Sequence, residues 1–231
     1  MTGFTPADAA ALLWFALCWA GYTACADHGP WRRHSISVAM NRERRAWMDQ
    51  MMARELRMLD TQILGNLLRS LGFFASTTIL VVAGLIAVLG AAEQAIETLA
   101  ELPFAVPSIK AVWHAKVLLL IVIFVYAFFK FAWAFRLTNN CAILIGAAPA
   151  APADPVVAAR HAERAAVIIG LAAYHLNRGL RGYFFALAAL AWFLHPVLFA
   201  VGSTWVVLVL YRREFRSRAL RAIRRVGTPP S

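Results

Sequence analysis

Residues 70–92 read SLGFFASTTILVVAGLIAVLGAA and contain no charged side chain. A helix needs about 20 consecutive apolar residues to cross the hydrocarbon core of a bilayer. The rest of the chain has the same character, since 61% of its 231 residues are hydrophobic and 15% are charged, against about 45–50% and about 25% in soluble domains. The sequence therefore predicts an all-α, multi-pass transmembrane helical bundle, with residues 1–231 forming a single integral membrane domain.

Three apolar runs predict full membrane spans, at about residues 6–26, 67–92 and 112–135. A last apolar block contains His195 and Pro196. Proline cannot continue the hydrogen bonding of a helix, and it pushes the residue before it out of the helical conformation. The block is thus either one kinked fourth span or a hairpin with arms at about 165–194 and 197–211. Four full spans and three spans plus a proline-broken hairpin both remain open.

The distribution of arginines favours the hairpin. Seven arginines lie between residues 32 and 57, and seven more follow Tyr211. Lysines and arginines near span ends face the cytoplasm in membrane proteins. Only the hairpin brings both groups to that side, with the N-terminus outside. We therefore expect residues 27–66 to be a basic cytoplasmic helical segment and residues 212–231 a basic cytoplasmic tail, with a Pro/Ala linker at residues 147–155.

A periodic apolar pattern predicts that the basic segment is helical and leads directly into the second span. No proline occurs between Trp31 and Leu102, so we expect one long helix from Arg44 to about Ala91. Apolar residues recur along it at steps of four, four, three and four, which is one face of an α-helix. We expect this stripe to be buried against another helix or subunit: Met48, Met52, Leu56, Leu59 and Ile63.

The stretch YHLNRGLRGYFF, residues 174–185, places charges beside apolar runs. A charge at bilayer depth costs about 2.5–3.5 kcal/mol, so it must face protein, water or an anion. Arg178 and Arg181 either extend to the headgroups or line a polar cavity together with His175 and Asn177. Asp60 is the expected ion-pair partner of one of these arginines, because it lies near the mouth of the second span.

Motifs for catalysis and metal binding are missing from the sequence. It contains no H-E-x-x-H, G-x-S-x-G, P-loop or dinucleotide-binding fingerprint, and its six histidines show no i, i+4 pairing. We therefore predict no catalytic residue, no metal and no cofactor. The net charge of +11 comes without a nucleic-acid-binding motif, so we interpret it as a sign of topology and of contact with anionic lipid headgroups.

Four blocks of sequence resemble a known family. They are RRAWMDQMMARELRMLDTQILGNLLRSLGFFASTT, FAWAFR, LNRGLRGYFFALAALAWFLHPVLF and VLYRREFRSRAL. Together they resemble the domain-of-unknown-function 599 family of bacterial and plant multi-pass membrane proteins. The resemblance implies a location in the bacterial inner (plasma) membrane, and it carries over no activity.

Two functions are compatible with these residues. The first is a homo-oligomeric channel or small transporter for an anionic solute, with Ala162, Ala166 and Gly170 as a small-residue face between subunits. The second is a structural or accessory membrane protein that docks on anionic lipid or on a partner complex. A water-accessible Arg178 or Arg181 favours the first function. The predicted ligand or ion path consists of Arg178, Arg181, Asn177, His175, Arg69 and Asp60.

Overall fold

The protein is all-α in the computed structural model, which describes residues 3–100 and 109–226. These residues form eight α-helices, two 3₁₀ turns and no strand. The 3₁₀ turns are Pro30–His34 and Ala191–Phe193. The helices are α1 (Pro6–His28), α2 (Ile36–Ala53), α3 (Met58–Gly90), α4 (Ala92–Ala100), α5 (Lys110–Gly146), α6 (Pro155–Leu190), α7 (Pro196–Phe215) and α8 (Arg218–Val226).

Four helical segments among the described residues are long and apolar enough to cross a membrane: Pro6–His28, Met58–Gly90, Lys110–Gly146 and Pro196–Arg224. The prediction of an all-α, multi-pass membrane protein is thereby confirmed. Helix α6 is not among the four, because charged residues such as Arg164, Arg178 and Arg181 lower its hydropathy. The predicted basic tail extends to residue 231, and its last five residues lie outside the described part of the chain.

The prediction of a single long helix from Arg44 to about Ala91 is wrong. Helix α2 ends at Ala53 and α3 begins at Met58, with Arg54 in an extended conformation between them. The cause is Asp60, whose fully buried carboxylate oxygen Oδ1 accepts hydrogen bonds from Arg54 Nη1 at 2.6 Å and Trp47 Nε1 at 2.7 Å. A straight helix cannot bring both donors onto that one oxygen, so the chain turns a corner here.

The corner also splits the predicted apolar stripe. Met48 and Met52 on α2 are buried, as expected, but Leu56 is 77% exposed and Leu59 is 54% exposed. The four-residue break changes the direction of the chain. Apolar residues spaced at helical intervals on either side of it therefore no longer lie on one helix face. The stripe is therefore a core face only on α2.

The chain divides into two compact units. Unit 1 comprises Met1–Arg32, Thr77–Ala127 and Leu180–Arg213. Its core is aromatic: the Trp19 ring stacks on Phe185 at 5.3 Å between centroids, and Trp192 stacks on Phe199 at 5.1 Å. Phe15 packs edge-on against Phe185 at 5.6 Å. Stacked and edge-on aromatic pairs each add about 0.5–1.5 kcal/mol beyond the area they bury.

Unit 2 comprises Arg33–Ser76, Phe128–Gly179 and Glu214–Ser231. Its core joins apolar residues of α2 and α5 to small residues of α6, among them Met48, Cys141, Ala162 and Ala166. Alanine lets helices approach closely. Ala162 and Ala166 are only 1% and 5% exposed, so the small-residue face predicted to lie between subunits is instead used inside this chain.

We predict that Asp60→Ala lowers the free energy of unfolding by about 2–3 kcal/mol, because it leaves the Arg54 and Trp47 donors without their acceptor. Thermal unfolding of the purified protein in detergent, followed by circular dichroism, measures the loss. Asp49→Ala is the matched control, since Asp49 is an exposed carboxylate on α2. Equal effects of the two substitutions would contradict the structural role of Asp60.

Candidate functional site

The polar segment 174–185 lies within α6, and the boundary between the two units falls inside it, after Gly179. Gly179 shows why this part of α6 needs a small residue. A Cβ atom there would lie 2.4 Å from Cε1 of Phe131, so α6 and α5 approach closely in unit 2. The polar residues before and after this point have different surroundings.

In unit 1, Arg181 forms an ion pair with Asp27. Arg181 Nη1 lies 2.7 Å from Asp27 Oδ1, and the two side chains are only 9% and 4% exposed. The guanidinium also lies 5.3 Å from the centre of the Tyr22 ring, a cation–π distance. Arg181 is therefore neutralised inside the protein, and it faces neither water nor a headgroup.

Asp60, predicted to pair with Arg178 or Arg181, is not the partner of Arg181. Asp60 belongs to the corner between α2 and α3, where it pairs with Arg54. Asp27 was missed because it stands just past the end of the predicted first span, where it resembles an ordinary boundary residue. One signal was available in the sequence: Asp27 and Asp8 are the two carboxylates of an otherwise apolar helix. A buried arginine needs such a carboxylate to neutralise its charge.

Unit 1 contains a second buried polar contact, at the other end of α1. Asp8 caps the helix with Thr5 in a capping box, and its Oδ1 also accepts a hydrogen bond from Trp192 Nε1 at 2.8 Å. The ammonium of Lys116 lies 5.6 Å from the Trp192 ring centre and is attracted to the Asp8 carboxylate. Because Asp8 and Asp27 lie at opposite ends of α1, the segment 181–192 contacts both ends of that helix.

In unit 2, the other predicted site residues of α6 form a cationic cluster with α5. The guanidinium of Arg178 lies 5.2 Å from the Tyr174 ring centre. The ring of His175 packs edge-on against Tyr174 and Trp133 at 5.3 Å and 6.3 Å. The positive charges of Arg178 and Lys130 both act on His175. Lys130, on α5, is therefore an addition to the residues predicted from the sequence.

Nδ1 of His175 is buried without a hydrogen-bond partner in the described part of the chain. Asn177 points elsewhere, since its Nδ2 donates to Ser37 Oγ at 3.3 Å. Arg69 donates to Asn66 on its own helix and is exposed. Of the six predicted path residues, His175 and Arg178 both contact the Tyr174 ring, while Asp60, Arg69, Asn177 and Arg181 each have another partner among the described residues.

Charge is divided unequally between the two units. Unit 2 contains 17 of the 23 lysines and arginines but only 7 of the 12 acidic residues, which gives it a net charge of +10. Unit 1 holds the remaining 6 basic and 5 acidic residues, a net charge of +1. No group of three potential metal ligands occurs among the described residues. The main chemical property of unit 2 is therefore its positive charge.

A family model described as "Protein of unknown function, DUF599" matches residues 10–219. This match confirms the resemblance that the four sequence blocks indicated. Neither a curated protein nor a solved structure matches the chain.

We predict that Arg181→Gln lowers the free energy of unfolding by about 3 kcal/mol, because it leaves the Asp27 carboxylate buried without its counter-charge. Adding Asp27→Asn should recover part of the loss, since two neutral amides need no charge compensation. Thermal unfolding in detergent of the wild type, both single variants and the double variant measures the coupling. Arg212→Gln, at an exposed arginine of unit 1, is the control. Additive effects of the two substitutions would show that the pair contributes nothing as a pair.

Proposed function

The chain belongs to the DUF599 family, and from its charge distribution we propose that it is an integral membrane protein whose unit 2 docks on anionic phospholipid headgroups at the cytoplasmic surface of the bacterial inner membrane. The supporting observation is the net charge of +10 on unit 2. A basic residue near an anionic membrane surface contributes about 1 kcal/mol of attraction. Several such residues together give a strong preference for anionic lipid.

The accessibility of the arginines supports this function. An arginine that binds a headgroup must reach the surface, and in unit 2 most do. Arg54, by contrast, bonds to the buried Asp60 and serves the fold. The exposed arginines of unit 2 are Arg33, Arg42, Arg45, Arg69, Arg136, Arg160, Arg164, Arg216, Arg218, Arg221 and Arg224.

A membrane topology with unit 2 in the cytoplasm accompanies this proposal. Within unit 1, the segment 181–192 meets α1 at both of its ends, through Asp27 and Asp8. If α1 crosses the bilayer, this segment crosses beside it in the opposite direction, and α7 returns. The turn between them suits a hairpin, because Pro196 starts α7 and His195 Nδ1 accepts a hydrogen bond from Val197 N–H at 3.1 Å.

The cationic cluster of Lys130, His175 and Arg178 favours a second candidate function, an anion pathway through a homo-oligomer. Two positive charges beside a histidine with a buried, unbonded Nδ1 form a place where an anion would be attracted. This candidate is weaker, since Arg181 is neutralised by Asp27 and the small-residue face of α6 is buried in unit 2. Liposomes containing the purified protein that pass none of several anions would exclude it.

We predict that the reconstituted protein associates with spin-labelled phosphatidylglycerol more than with spin-labelled phosphatidylcholine at low salt. Electron paramagnetic resonance measures the fraction of each lipid whose motion is restricted. Raising the ionic strength from about 0.1 M to about 1 M shortens the screening length from about 10 Å to about 3 Å, so the difference should shrink. Arg218→Gln with Arg221→Gln should reduce it, whereas Lys110→Gln in unit 1 should not. Equal restriction of both lipids at low salt would overturn the proposed function.

We also predict which side of the membrane α8 faces. In a variant whose native cysteines are replaced by serine, Ala219→Cys on α8 should be protected from a membrane-impermeant maleimide added to intact cells, and should react after lysis. Glu97→Cys on α4 is the counterpart that should react in intact cells. Both positions are exposed, so access depends on the membrane alone. Reaction of Ala219→Cys from outside would rule out the hairpin topology.

A further inference from the structure

A groove between α2 and α8 concentrates part of the positive charge of unit 2. The two helices pack against each other, and Leu220 of α8 is 3% exposed. Beside this contact lies an open cavity of about 390 Å³, which is within the usual range of small-molecule sites, about 300–1,000 Å³. Its lining consists of Arg33, Ser35, Val38, Ala39, Arg42, Glu43, Ile223 and Arg224.

The position of this groove is fixed by hydrogen bonds within unit 2. Ser35 caps α2 by accepting a hydrogen bond from Val38 N–H at 3.2 Å, and Ser217 caps α8 in the same way through Leu220 N–H at 3.1 Å. Arg224 Nη2 donates to the carbonyl oxygen of His34 at 2.9 Å. Glu214 accepts from Ser37 N–H at 3.3 Å. The groove is therefore formed before a ligand binds, and binding would not require the two helices to move.

Among the described residues, the positive charges that line the groove are only partly compensated. Three arginines and one glutamate give the lining a net charge of +2. Among the described residues, neither Arg33 nor Arg42 forms an ion pair, and Glu43, although it lines the same groove, is not within salt-bridge distance of them. Arg224 uses one of its five N–H groups on His34, which leaves others to donate. Converging like charges repel one another, and a bound anion relieves that repulsion.

We infer that this groove is a discrete binding site for a phosphate group, held by Arg33, Arg42 and Arg224. The planar guanidinium presents paired N–H donors that match two phosphate oxygens at once. Three such side chains around one cavity suit a tetrahedral anion with several acceptors better than a single carboxylate. This inference deepens the proposed function, because a phospholipid headgroup supplies that phosphate at the membrane surface. A soluble phosphate ester offers the same chemistry, so the experiment has to separate the two sources.

The test uses the full-length protein in a neutral detergent and measures its affinity for short-chain phosphatidylglycerol, for short-chain phosphatidylcholine and for glycerol phosphate. The variant is Arg33→Gln with Arg42→Gln. Both side chains are exposed and bear no ion pair, so the fold should survive, which circular dichroism verifies. The matched control is Arg160→Gln with Arg164→Gln. It removes the same charge from exposed positions of unit 2 that lie outside the groove.

We expect the groove variant to weaken phosphatidylglycerol binding at least about tenfold, since a lost charge-assisted hydrogen bond contributes about 1.5–3 kcal/mol and 1.4 kcal/mol is tenfold. The control variant, which lowers the charge of unit 2 by the same amount, should weaken binding less than the groove variant does. Glycerol phosphate that binds as tightly as the lipid, and loses affinity in the same variant, supports the site and assigns it a soluble ligand. Glycerol phosphate that binds far more weakly assigns it a headgroup.

Two results would overturn the inference, and they differ in what they mean for the proposed function. If the groove variant and the control lose affinity equally, binding depends on diffuse charge: the discrete site fails while docking on anionic lipid stands. If the wild type binds phosphatidylglycerol and phosphatidylcholine equally, the groove variant binds both as the wild type does, and glycerol phosphate does not bind, both the site and the proposed function fail.

Discussion

The ion pair between Arg181 and Asp27 is the constraint on which unit 1 depends, because a guanidinium stays charged at any accessible pH and this one is buried, 5.3 Å from the centre of the Tyr22 ring. With both side chains less than a tenth exposed, neither charge is tolerable without the other. The pair therefore fixes one end of α1 against α6. The hydrogen bond from Trp192 to Asp8 fixes the other end. Between these two contacts the rings of Phe15, Trp19 and Phe185 pack in stacked and edge-on pairs. A shift of α1 along α6 would break these pairs.

Unit 2 follows the same rule with a different carboxylate. Asp60 is fully buried and satisfied on one oxygen by Arg54 and Trp47, and this requirement breaks what would otherwise be one long helix. Arg57 then donates to the carbonyl oxygens of Ala148 and Pro149. The corner is thereby tied to the segment after α5. Buried charges in this protein thus determine where helices end and which helices touch.

This division separates structural charges from those that can meet a ligand. Arg181 and Arg54 form ion pairs with buried carboxylates. Substituting them should therefore lower the stability of the fold rather than change the affinity for a ligand. Arg33 and Arg42 are exposed, unpaired among the described residues and directed at a groove. The proposed docking on anionic lipid rests on residues of this second kind. The anion pathway rests instead on Arg178 and Arg181 of α6, and Arg181 is already neutralised by Asp27.

The sequence determined the fold class of the protein and its family, because each depends on properties that are local in the chain. Apolar runs such as residues 70–92 are long enough to cross a membrane as helices whatever else the chain does. The same local reasoning failed where a contact joins distant residues. Asp27 and Arg181 are 154 positions apart, and nothing in the spacing of either residue indicates the other. The proline-free run from Trp31 to Leu102 predicted one helix, yet the tertiary structure breaks it at the corner where Arg54 and Trp47 both donate to the buried Asp60. Periodicity reports which residues prefer to be buried, whereas the identity of the partner that neutralises a buried charge is settled only when helices pack.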